Sequence, residues 1–126
     1  MAEQDVWIEF NYVLKTFMRS LKETYPHMKE FGIMLGLYKI MKTLNKKTPQ
    51  RYFQELIAEK YYDDLINKNF DVFLSDNFDD KDLSYLVKPL KIQFKKLNEE
   101  EREVIWKHII VLLACNKNCL NSSKKK

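Results

Sequence analysis

The sequence predicts an all-α fold, a single-domain bundle of about five helices, and three observations predict it. Apolar residues recur at steps of three and four through most of the chain, the period of a helix with one buried face. Only two glycines and three prolines are present, too few for the tight turns of an all-β fold. Helix-boundary signals at Pro26, Pro49, Pro89 and Asn98 divide the chain into segments of helical length. With 126 residues, 45% of them hydrophobic, the chain has enough apolar side chains for one core. Residues 1–116 read as the helical domain and 117–126 as a flexible basic tail.

The first helix is marked by Val6, Trp7, Phe10, Val13, Leu14, Phe17, Met18 and Leu21, and Pro26 ends it. Thr24 is the expected N-cap of a second helix over about 27–44, which carries Met28, Phe31, Met34, Leu35, Tyr38, Met41 and Leu44. Gly32 and Gly36 lie four apart in it and read as a packing groove or a weak spot, because glycine costs a helix up to about 1 kcal/mol relative to alanine. After Asn45, Lys46 and Lys47, Thr48 is the expected cap and Pro49 the start of a third helix. Its apolar stripe is Tyr52, Phe53, Leu56, Ile57, Tyr61 and Leu65. A short helix with an acidic start is expected over Asp79 to Val87. Asn98 and Glu101 then form a capping box for the last helix, which holds Val104, Ile105, His108, Ile109, Leu112 and Leu113 and is expected to fray near Asn116.

Composition excludes several functions. Net charge is +4, of which Lys124, Lys125 and Lys126 supply +3, leaving a nearly neutral body (4 − 3 = +1) that is a poor polyanion binder overall. No apolar run approaches the ~18 residues of a membrane span, and no signal-peptide order opens the chain. Cys115 and Cys119, four apart on a helix, are poorly aimed for a disulfide and read as idle thiols; with His108 they make fewer ligands than a structural zinc requires. No metal and no cofactor is expected. Asp76, Asp79, Asp80 and Asp82 lack the glycine and terminal glutamate of an EF-hand and read as a solvated loop. Neither His27 nor His108 has a nucleophile at a telling spacing, so the chain does not read as an enzyme.

What the helical period fails to absorb is aromatic. Tyr61, Tyr62, Phe70, Phe73 and Phe78 crowd one region, and adjacent helical residues point about 100° apart, so Tyr61 and Tyr62 cannot share one core face. Exposed aromatic clusters mark interfaces, which makes these residues the expected docking site for a protein partner or a second copy of the chain. A groove beside Gly32 and Gly36 is the other expected docking place. The alternative is nucleic-acid binding through Lys42, Lys46, Lys47 and Arg51, joined by the tail lysines 124 to 126.

Phe17, Leu21, Thr24, Tyr25 and Pro26, the Tyr52-Phe53 pair and the block Ile105-Trp106-Lys107-His108-Ile109 together resemble a helical family of nucleocytoplasmic large DNA viruses of the giant-virus kind. That family pairs an N-terminal Phe-x-x-x-Leu-x-x-Thr-Phe/Tyr-Pro block with a C-terminal Ile-Trp-x-Tyr-Ile/Leu block, and the similarity runs from about Phe10 to Leu113. His108 departs from the pattern, which has an aromatic there, and the second helix is more apolar than the resemblance implies. The resemblance implies a viral source, a shared helical fold and a place in the host-cell cytoplasm or the virion. It brings no activity with it. The expected role is a non-enzymatic scaffold or interaction module, a virion or virus-factory component.

Overall fold

The computed structural model of the chain describes residues 5–69, 91, 92 and 94–124. The described residues form helices and their connections, with no strand among them: α1 (Val6–Thr24), α2 (Lys29–Leu44), α3 (Thr48–Phe53), α4 (Glu59–Ile66) and α5 (Glu99–Lys124). A π-helical turn, Gln54–Ala58, fuses α3 to α4. The short helix expected over Asp79 to Val87 and the acidic loop from Asp76 lie outside the described residues.

Asp5 starts α1. Its Oδ1 accepts from the backbone N–H of Trp7 at 3.0 Å and of Ile8 at 3.2 Å, and its other oxygen meets the Lys46 ammonium from the α2–α3 connection. The Lys46 hydrogen bond, helped by the two amides, holds the Asp5 carboxyl below the ordinary carboxylate range. A carboxyl depressed by folding adds stability above its unfolded value, and that stability is lost as pH falls through the folded value. Asp5→Ala is therefore expected to cost about 1 kcal/mol at pH 7, as N-cap removals do, and less at an acidic pH below the ordinary carboxylate range, as wild type loses the same interaction on protonation. Urea titrations of both proteins at the two pH values check this.

Helices α1 and α5 run antiparallel, and contacts along their length fix the register. At one end the Cys119 thiol points to the Val6 carbonyl at 3.5 Å; midway the Phe17 ring stacks on His108 with centroids 5.0 Å apart; at the other end the Tyr25 hydroxyl donates to Glu101 at 3.1 Å. Between these points Phe10, Leu112, Cys115 and Cys119 form a buried cluster that Phe53 of α3 closes from the side. A second cluster joins Ala58, Tyr61 and Leu65 to Leu113. The third, Met18 with Leu35 and Tyr38, ties α1 to α2, where the Tyr38 hydroxyl donates to the Asn11 carbonyl at 3.1 Å. Asn11 in turn donates through Nδ2 to the Lys46 carbonyl at 2.9 Å, clamping the α2–α3 connection.

Several boundaries differ from the sequence expectation. Thr24 is the last residue of α1 and does not cap α2, which starts after Met28 with no side-chain cap. Thr48 lies inside α3, whose cap position is Lys47, so Pro49 occupies the first turn as expected while the threonine does not cap. The capping box of α5 forms as read: Glu101 N–H donates to Asn98 Oδ1 at 2.8 Å and Asn98 N–H to Glu101 Oε1 at 3.3 Å.

The largest correction is at the C-terminus. α5 does not fray near Asn116 into a tail; it continues to Lys124, and Asn116 and Cys119 are buried. Asn116 sits between two glutamines, accepting from Gln50 Nε2 at 2.8 Å and donating from its Nδ2 to Gln54 Oε1 at 2.8 Å. An asparagine whose amide is paired at both ends can enter a core at little cost, which keeps the helix going through a segment of polar composition. The π-helical turn starts at Gln54, and a turn of that kind admits one extra residue.

Candidate functional site

The predicted aromatic site divides. Tyr61 is 4% exposed and belongs to the core with Leu113, so it is not a docking residue; Tyr62, one position on, is 37% exposed. The helical rotation of about 100° between them accounts for the difference. Phe70, Phe73 and Phe78 lie outside the described residues.

The lysine cluster is also partly occupied. Lys46 pairs with Asp5, and Lys47 places its ammonium 4.3 Å from the centre of the Trp7 ring. Lys42 and Arg51 are exposed. Lys124 ends α5, and Lys125 and Lys126 lie outside the described residues. At the far end of the α1–α5 pair a similar clasp recurs: Trp106 donates through Nε1 to the Leu65 carbonyl at 2.6 Å, and Lys68 sits 4.4 Å from its ring while pairing with Glu103 at 2.8 Å. Trp7 and Trp106 thus pack at opposite ends of the bundle, each under its own lysine.

His108 donates through Nδ1 to the Val104 carbonyl at 2.9 Å and lies flat on Phe17. The thiols of Cys115 and Cys119 are buried, and burial, reinforced by neighbouring Cys115, Asp5 and Glu9, pushes Cys119 up to about 12. Such a thiol is neither a nucleophile nor a ready metal ligand at neutral pH. Among the described residues no three of His, Cys, Asp and Glu gather as a metal set would.

The surface that stands out is on α2. This helix is apolar on two sides. Phe31, Leu35 and Tyr38 enter the core, while Ile33, Leu37, Ile40 and Leu44, at steps of four, three and four, form a second stripe on the far side. Leu37 is half-buried, and Ile33, Ile40 and Leu44 are 39%, 60% and 79% exposed. Four apolar residues in one helical row are what a partner helix reads as anchors. The sequence signal was present as an unusually apolar second helix, but periodicity alone assigns one stripe per helix and the core stripe claimed it.

The rims of this stripe differ. On one edge Glu30, Met41 and Met34 follow round the helix; on the other come Lys29 and Gly36, with Thr43, Gly32 and Lys39 farther round. Beyond that second edge lies α1, whose Lys22 reaches Gly32: a Cβ placed there would be 3.7 Å from the Lys22 Cε. Lys15, Arg19 and Lys22 recur at steps of four and three on the same side of α1. Arg19, Lys22, Lys29 and Lys39 are exposed and Lys15 half-buried, and none has an ion-pair partner among the described residues.

Gly32 meets the Lys22 side chain of α1, whereas Gly36 receives no neighbouring helix among the described residues. A Cβ at Gly36 would meet no atom of the described residues within 4 Å, so close packing among the described helices does not require that glycine. Gly36→Ala is expected to raise stability by about 0.5–1 kcal/mol through helix propensity, measured as a higher urea midpoint at unchanged slope.

No helix of the described residues is long and apolar enough to cross a membrane. No family model, no curated protein and no solved structure matches this chain.

Proposed function

We propose that the protein is a non-enzymatic protein-interaction module whose docking surface is the outer face of α2. The observation that carries this reading is the second apolar stripe, with Ile40 at 60% and Leu44 at 79% exposure on a helix whose opposite side is already in the core. Water contact with such a row is unfavourable by about 25 cal/mol for each Å² of apolar surface, and covering it releases that cost. Tyr62 and Ile66, four apart on α4 and each 37% exposed, make only a two-residue patch, smaller than the α2 row. What supports a viral setting, as a virion or virus-factory component, is the sequence resemblance alone.

The test is affinity capture with wild type and with the Ile40→Glu, Leu44→Glu double variant, each with and without nuclease. Expected are partners that survive nuclease and are lost with the variant, while far-UV circular dichroism of the variant stays native. Capture unchanged by the substitutions overturns the docking face. Partners lost with nuclease transfer the function to nucleic acid and to Lys42 and Arg51.

A further inference from the structure

The chemistry of the two rims says what kind of partner this face accepts, an inference that rests on the docking reading above. We infer that the occupant is an amphipathic helix of another protein that carries acidic residues along one edge of its apolar stripe. The apolar row Ile33, Leu37, Ile40 and Leu44 supplies anchors at the spacing a helix in a groove uses. Lys29 borders that row on one side only, and Lys39, about 100° farther round α2 from Ile40, continues the positive field on that side together with Lys15, Arg19 and Lys22 of α1, all without an ion-pair partner among the described residues. Opposite-charge rims around an apolar centre steer association and fix orientation.

The same asymmetry disfavours a second copy of this chain. A two-fold antiparallel pairing of α2 helices sets each edge against its own counterpart, so the cationic side of one copy would lie against the cationic side of the other. The like charges would repel where the interface excludes water. An acidic edge on a different protein turns that repulsion into attraction. Gly36 lies on the cationic edge with no atom of the described residues within 4 Å of a Cβ position, which gives an incoming helix room to approach the α2 backbone there.

The experiment uses the full chain and two synthetic helical peptides. Both carry leucines at i, i+4, i+7 and i+11; one has glutamates along one edge and the other lysines at those positions. Fluorescence anisotropy is expected to show binding of the glutamate peptide that weakens with salt, and no binding of the lysine peptide. Lys29→Glu combined with Lys39→Glu is expected to weaken the glutamate peptide at least about tenfold, and Ile40→Glu to abolish it. Equal binding of both peptides, lost in Ile40→Glu, keeps the docking face and overturns the acidic partner. Absence of binding by either peptide at ~1 mM overturns the proposal. So does a sedimenting dimer that Ile40→Glu dissociates, which assigns the face to a second copy. Binding to vesicles containing phosphatidylserine, with no peptide binding, overturns it in favour of a lipid surface.

Discussion

Phe10→Ala is expected to destabilise the protein by about 3–5 kcal/mol, the cost of emptying a large aromatic site in a core. Phe10 is fully buried, its ring centroid lies 5.5 Å from that of Phe53, and it packs with Leu112 and Cys115. It is therefore the side chain at which α1, α3 and α5 meet. Three helices held by one ring cannot collapse together to refill its volume, because α1 is also tied to α5 at Val6 and at Tyr25 and so cannot slide inward. For a domain of this size the loss corresponds to a fall in Tm of roughly 10–20 °C. Tyr12→Ala serves as the control: Tyr12 is 70% exposed on the opposite side of the same helix, and its loss is expected to stay within about 0.5 kcal/mol. A Phe10→Ala variant that loses under about 1 kcal/mol would mean that α3 does not close the α1–α5 pair.

Where helix chemistry is local, the sequence made the fold legible. Pro26 marked the end of α1, Pro49 the first turn of α3, and Asn98 with Glu101 the start of α5, because each acts through its own backbone within a turn. The π-helical turn was not legible. An extra residue inserted between Phe53 and Glu59 changes the phase of the apolar pattern, so a stripe drawn at constant period through the segment included Tyr52, which is 45% exposed. The caps of α2 and α3 failed for a related reason: Thr24 and Thr48 have suitable side chains, but the helix boundaries fall elsewhere and leave them inside the helices. The docking face was half legible. The sequence pattern grouped Leu44 with Phe31, Leu35 and Tyr38, whereas it is 79% exposed in a row with Ile33 and Ile40; which of two apolar sides a helix turns inward depends on the neighbour it meets, and the neighbour is a tertiary fact.

The tight clasps at the two ends of the bundle belong to the same class of hidden information. Lys47 over Trp7 and Lys68 over Trp106 join residues about forty positions apart, and no spacing rule connects them. They matter for the functional reading because a lysine already held against a ring, or against Asp5 in the case of Lys46, would have to give up that contact to meet a phosphate. The cations of α1 and α2 that border the apolar stripe have no such contact to lose among the described residues. Charge count alone, +4 for the whole chain, hides this segregation.

Deleting residues 117–126 is expected to destabilise the domain by about 2–4 kcal/mol, whereas deleting 125 and 126 alone should change stability by less than about 0.5 kcal/mol. A polar, lysine-ended segment of this composition resembles a tail, and a tail can be removed without consequence. Here the segment contains Cys119, which is fully buried against Val6 and the Phe10 cluster, and its removal would open the end of the α1–α5 interface to water. It would also end α5 at Asn116, where fraying would expose the amide that Gln50 and Gln54 hold and leave both glutamines short of a partner. The two losses act on the same end of the bundle and should appear together, as a lower urea midpoint and as faster alkylation of the remaining Cys115, whose thiol is buried in the intact protein. A truncated protein with wild-type stability and an unreactive Cys115 would show that α5 does its packing before Asn116 and that the glutamines do not depend on it.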